Sequence, residues 1–264
     1  IHGTAQGGAL SKKDFGVAFG GGGSGGCENF EDSLGTDANG SNTGSTIDTS
    51  NPKVGVGCVS FDGTNDFVNI NGAVDFSTTV GSISLWVYLP EEQDNTIFTF
   101  TQASSNEYLL IKANGDFAQA SMRLASGTPN QQWEVNSPTL AMGAWHLIQL
   151  VQDGSAVKAF FDNTEQETFA DDHDKSKWMT ANMDTGRIGC TKRNGGSDSD
   201  FFTGLCDDIG LWNTAIDEDT RNHIWNSGNG NTISSLSNCA GIRAYYNCDE
   251  FDNSTLTNNA VPIE

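Results

Sequence analysis

Phe202-Thr-Gly-Leu-Cys-Asp-Asp-Ile-Gly-Leu-Trp-Asn213 runs straight into Thr214-Ala-Ile-Asp-Glu-Asp-Thr-Arg-Asn-His-Ile-Trp225. The first part reads as a strand by alternation, with Leu205, Asp207, Ile209 and Leu211 on one face and Cys206, Asp208 and Trp212 on the other. The second part reads as a short helix. Ile216, Thr220, Ile224 and Trp225 fall at helical spacing, and Asp217, Glu218 and Asp219 fill the first turn, where the macrodipole favours anions.

Outward from this segment the chain is strand and turn. Val54–Phe61 and Asp66–Ile70 flank the turn cluster Asp62-Gly-Thr-Asn65, and Ile83–Leu89 is a strong strand stopped by Pro90. Thr96–Thr101, Tyr108–Lys112, Ser121–Leu124 and Gln132–Asn136 are shorter runs. Trp145–Gln152 and Ala156–Asp162 flank Asp153-Gly154, a hairpin signal. Arg187–Cys190 and Ile242–Cys248 complete the set. Turn signals at this spacing predict an all-β, two-sheet antiparallel sandwich with one short helix near the C-terminus. Residues 1–26 stand apart. Gly20-Gly-Gly-Gly-Ser-Gly-Gly26 has linker composition, and Phe15–Phe19 is a short apolar piece able to pair as a strand. Residues 1–26 are therefore read as an arm with a hinge, and residues 27–264 as the domain.

The charge balance is lopsided: 13 Lys and Arg stand against 34 Asp and Glu, a net −21. Such a field repels phosphate backbones and excludes nucleic acid as the expected partner. No apolar run approaches the roughly 20 residues that span a bilayer. The N-terminus shows neither a basic n-region nor an apolar h-region, and the first residue is Ile1. This is read as a processed or trimmed product of a longer precursor. Six cysteines occur, with no C-x-x-C pair and no zinc spacing, which reads as disulfides and an oxidising, extracellular or surface setting. Cys190 and Cys206, on successive strands joined by a polar, Gly-containing loop, are expected to pair. The pairing of Cys27, Cys58, Cys239 and Cys248 stays open.

Several blocks agree in order with a known family. Phe61-Asp-Gly-Thr-Asn-Asp-Phe-Val68 resembles its early hairpin and Ser82-Ile-Ser-Leu-Trp-Val87 its next core strand. Trp145, Gln152-Asp-Gly154 and Phe160-Phe-Asp162 resemble its central hairpin. Gly186-Arg-Ile-Gly189 precedes the closing strand and helix quoted above. Together they resemble laminin-G-like domains of the concanavalin A-like lectin/glucanase superfamily. The resemblance implies a jelly-roll of two facing sheets, commonly a structural calcium, binding of sugars or proteins in some members, and catalysis only in the glucanase branch. It places a calcium-binding Asp at Asp207, with Glu31 and Asp32 supplying further oxygens.

The glucanase motif Glu-x-Asp-x-x-Glu is missing. Its nearest fragment, Glu92-Gln-Asp94, follows Pro90 and lacks the second Glu, so no catalytic residue is assigned. Gly22-Gly-Ser24-Gly-Gly26 lies in the linker rather than in a strand–turn–helix, and Asp171-Asp-His-Asp174 reads as a solvated loop. Trp133 and Trp178 sit among polar neighbours and are the expected platforms for a sugar or protein partner. Two functions stay open ahead of a third, a glycan hydrolase. One is a non-catalytic lectin-like recognition or adhesion module of an extracellular or surface protein, binding glycan or protein. The other is a structural subunit of an extracellular assembly, an appendage or virion, self-associating through residues 1–26.

Overall fold

The computed structural model describes residues 39–74, 78–252 and 255–257. The arm at 1–26, Cys27, Glu31 and Asp32 lie outside the described residues. Two antiparallel sheets face each other. The first has nine strands in the order β16 (Phe251–Asp252), β17 (Thr255–Leu256), β1 (Gly40–Thr43), β4 (Phe67–Asn69), β13 (Thr185–Ile188), β6 (Thr96–Thr101), β7 (Tyr108–Asn114), β8 (Phe117–Arg123) and β9 (Gln131–Asn136). The second runs β12 (Thr164–Glu165), β11 (Val157–Phe161), β10 (Ala144–Gln152), β5 (Gly81–Leu89), β14 (Thr203–Trp212), β3 (Cys58–Asp62) and β2 (Thr46–Asp48). Here β15 (Ile242–Tyr246) also pairs with β14. The expected sandwich is therefore the one observed.

Period-two alternation builds the main core. Leu109, Ile111 and Ala113 of β7, Ala118, Ala120 and Met122 of β8, and Phe98 and Phe100 of β6 point between the sheets. Ile83, Leu85, Val87 and Leu89 of β5 meet them from the other side. The opposite face of β5 is buried as well. Trp86, Leu147 of β10, Phe160 of β11 and Trp212 pack under Ile216, Ile224, Ile233 and Leu236 of the segment after β14. The second sheet is thus coated on both faces, which explains why β5 and β14 are buried at nearly every position.

The coat is anchored by α1 (Glu218–Trp225). Asp217 caps it by accepting from the Thr220 amide at 2.8 Å, and Asn226 ends it in the left-handed region at φ 45°. Trp225 then stacks on Trp86, with centroids 5.6 Å apart.

The strict alternation expected along β14 is broken in the structure. Cys206, Ile209 and Leu211 all belong to the core between the sheets. A β-bulge at Asp207/Asp208, with Asp208 at φ 47°, turns both aspartates to the outer face. The bulge falls where β14 changes partner. Thr203–Cys206 pair with β3, and Ile209–Trp212 pair with β15.

The expected Cys190–Cys206 disulfide is also corrected. Both are buried free thiols, as are Cys58 and Cys248. Cys190 follows β13 in the first sheet, whereas Cys206 lies within β14 of the second, so the two strands are not ladder partners. The Cys190 Sγ faces Asp198 Oδ1 at 3.8 Å. Cys239 is disulfide-bonded.

Three of the sheet margins are short. Strands β16 and β12 have two residues each and β2 has three. The margin at β9 is covered by residues 170–174, whose backbone bonds to Gln132 and Glu134.

Candidate functional site

The outer face of the first sheet is polar because alternation puts the other half of each strand there. Tyr108, Leu110 and Lys112 of β7 stand opposite to Leu109 and Ile111, and Gln119 of β8 opposite to Ala118 and Ala120. Leu110 lies between Thr99 and Ser121 in the ladder, and Lys112 lies between Thr96 and Gln119.

A strap, residues 191–200, crosses this face over β6 and β13. Thr191 and Ser199 exchange backbone hydrogen bonds at 2.9 Å, closing the strap into a loop. Its tip is held by the Asn194 amide on Ser105 O and the Gly195 amide on Ala103 O. Its base is held by Arg187, almost fully buried, which donates to Asp198 at 2.9 Å and to Asn71 at 2.8 Å. Charge-assisted bonds of this kind fix geometry.

Between the strap and β7–β8 runs a groove of about 250 Å³. Thr96 and Leu110 form its floor. Lys112, paired with Asp94, closes one end. Arg193 lies over the Tyr108 ring at 5.0 Å and faces Asp200 at 3.7 Å along the strap side.

A family model described as Concanavalin A-like lectin/glucanases superfamily, Laminin_G_3, matches residues 62–220, more than half of the chain. The chain belongs to this laminin-G-like family. No curated protein matches it in sequence.

Solved structures similar to this laminin-G-like sandwich include the native heptameric SAP-like pentraxin from Limulus polyphemus. It is 14% identical, with 70% of this chain and 82% of that one covered and a TM-score of 0.45. Domain 4 of the extracellular arabinanase AbnA from Geobacillus stearothermophilus, in complex with arabinotriose, is 17% identical over 66% and 78%, with a TM-score of 0.46. The CBM40 of Ruminococcus gnavus IT-sialidase, bound to α2,3-sialyllactose, is 14% identical over 54% and 80%, with a TM-score of 0.44. These likenesses are of general architecture, and no ligand passes across them.

Three sequence expectations meet the laminin-G-like structure differently. Trp133 and Trp178 are not platforms: they are 0% and 1% exposed and belong to the core. For Trp133 the polar neighbours misled, because Gln132 and Glu134 take the other face of β9 by the same alternation that sends Trp133 inward. Trp133 Nε1 donates to Lys177 O at 2.7 Å, and Trp178 packs where Gly81 has no Cβ, a methyl there falling 2.7 Å from Nε1.

Asp207 is likewise buried. Its Oδ2 accepts from the Lys53 and Val54 amides at 2.8 and 3.1 Å, and its Oδ1 meets no hydrogen-bond partner among the described residues. Burial pushes its carboxyl up to about 8, against the two amide hydrogen bonds and with the Asp208 charge. Asp208 accepts from Tyr245 Oη at 2.7 Å and from the Ile233 amide, and burial pushes it up to about 7.

A calcium ion takes about six to eight oxygens. Asp207 meets N–H donors instead, and among the described residues no three His, Cys, Asp or Glu converge on a metal position. The described residues alone do not fit the cation, and Glu31 and Asp32 lie outside them. Asp171 and His173 pair at 3.1 Å in a loop, in keeping with its reading as solvated.

The groove residues Tyr108, Lys112, Arg193 and Asp200 were missed from the sequence. The alternation within Tyr108–Lys112 marked the outward set, but nothing local places a strap beside it.

Proposed function

We propose that the protein is a non-catalytic recognition module of an extracellular or surface protein, and that it binds glycan in the groove over β7. The observation that carries this reading is the groove's lining. It is concave, it is made of two carboxylates, two cations, the hydroxyls of Thr96 and Tyr108 and the Gln119 amide around one Leu, and it rests on paired strands. Apolar small-molecule pockets are larger and mostly hydrophobic. Protein interfaces centre on desolvated aromatic anchors. A polyol needs the reverse, many donors and acceptors already oriented.

Asp94 and Asp200 do not supply glycosidase chemistry. Their side chains are 70% and 45% exposed, whereas a glycosidase acid is a carboxyl held in an apolar pocket. The buried pair Asp207 and Asp208 has no access to solvent.

Titration of the isotope-labelled protein with a panel of oligosaccharides tests the reading. Amide shifts should centre on Tyr108, Lys112 and Arg193. Shifts confined to another surface, or none with any glycan, would refute it. Incubation with the same sugars should leave them uncleaved.

A further inference from the structure

Resting on the glycan reading of the groove, we infer that its ligand is an uncharged oligosaccharide, and that the groove's own ion pairs turn acidic glycans away. Each cation in the groove is already matched. Lys112 is bonded to Asp94, and Arg193 faces Asp200 while its guanidinium covers Tyr108. A carboxylate or sulfate entering here must separate Lys112 or Arg193 from its aspartate and then lie beside that aspartate. It must do so within a chain of net charge −21, whose field already lowers the local concentration of anions.

A hydroxyl faces no such conflict. It donates to a carboxylate oxygen and accepts from the adjacent ammonium or guanidinium, so neighbouring hydroxyls bridge each pair without breaking it. Thr96 and Gln119 extend the same chemistry along the floor. From Tyr108 to Lys112 the strand runs roughly 14 Å at about 3.4 Å per residue, the length of a short oligosaccharide rather than one sugar. Arg193 over Tyr108 also removes the open aromatic face on which a sugar ring would stack, so recognition falls to hydrogen bonds and is weak.

The test titrates uncharged gluco-, manno- and galacto-oligosaccharides against sialyllactose and a heparin-derived tetrasaccharide, at low and physiological salt. The parent chain is compared with the double variant D94N/D200N. Both aspartates are exposed, so their surface pairs add little to stability and the variant keeps its fold. The parent should bind an uncharged oligosaccharide in the groove with little salt dependence, and the acidic glycans about ten-fold or more weaker. In D94N/D200N, with Lys112 and Arg193 no longer matched, the discrimination should narrow or reverse. A parent that prefers acidic glycans in the groove, or a variant with unaltered discrimination, overturns the inference while leaving the glycan reading in place. A folded parent that binds neither class overturns the reading itself.

Discussion

Cys206 and Ile209 face the same side of β14 although they are three residues apart, an interval that a regular strand would place on opposite faces. The two aspartates between them are thereby turned together beneath the coat of the second sheet. Asp207 holds the Lys53 and Val54 amides, and Asp208 holds Ile233 and Tyr245.

Both carboxyls are raised, to about 8 and about 7, so the folded chain keeps protons that the unfolded chain has released. The stability they lend is fullest near the ordinary carboxylate range, about 4, and is lost as pH climbs toward 8. Urea midpoints should therefore fall between about pH 6 and pH 8.5, and D208N should flatten that fall. A parent chain more stable at the alkaline end would refute the assignment.

His146, on β10, is buried and holds two acceptors, Asp162 Oδ2 at 2.8 Å and Ala141 O at 2.9 Å. Only the doubly protonated ring satisfies both. Burial lowers its pKa, but the Asp162 hydrogen bond, the Ala141 carbonyl and the Asp162 charge together raise it above the usual value. The bonds are complete below about 6.5 and are lost as pH rises through the folded-state value. Replacing His146 by Gln should cost about 1.5–3 kcal/mol at pH 6 and clearly less at pH 8.5, by urea unfolding. A cost that grows with pH would show the ring to be neutral.

Trp133→Ala should behave as a core deletion. The expected loss is about 3–5 kcal/mol in chemical unfolding, with the folded fraction still binding in the groove. Selective loss of ligand at full stability would restore Trp133 as a platform.

The thiols at Cys58, Cys190, Cys206 and Cys248 should be recovered free by peptide mapping without reductant, and should resist alkylation until the chain unfolds. Burial pushes Cys58 up to about 12 and raises Cys190, Cys206 and Cys248, which suppresses the reactive thiolate in each. Rapid labelling of the native protein, or a mapped Cys190–Cys206 bridge, would contradict this.

Chelation tests the calcium expected at Asp207: an unchanged melting temperature would leave its carboxyl to the Lys53 and Val54 amides alone. A fall that added calcium reverses would bring Glu31 and Asp32 to Asp207 after all.

What the sequence made legible follows the range of the forces involved. Ile83–Leu89, Trp145–Gln152 and the capped helix after Asp217 were readable because burial periodicity and capping act between near neighbours. The bulge at Asp207 was not, since it arises where β14 exchanges β3 for β15, strands distant in the chain. The tryptophans at 133 and 178 were misplaced because polar neighbours say nothing about the face a side chain takes in a strand or a packed loop. The groove needed Arg187 and Asp198 to bring a strap across a sheet, a contact invisible to any local window.

The short and covered sheet margins also bear on how copies could associate. A strand offered by a neighbour would find two or three residues to pair with at β16, β12 and β2, too little ladder to hold it, and at β9 it would meet residues 170–174 already in place. Strand addition at these three margins is thereby disfavoured. Contacts between copies at those margins would have to come from side chains and loops instead of a shared ladder.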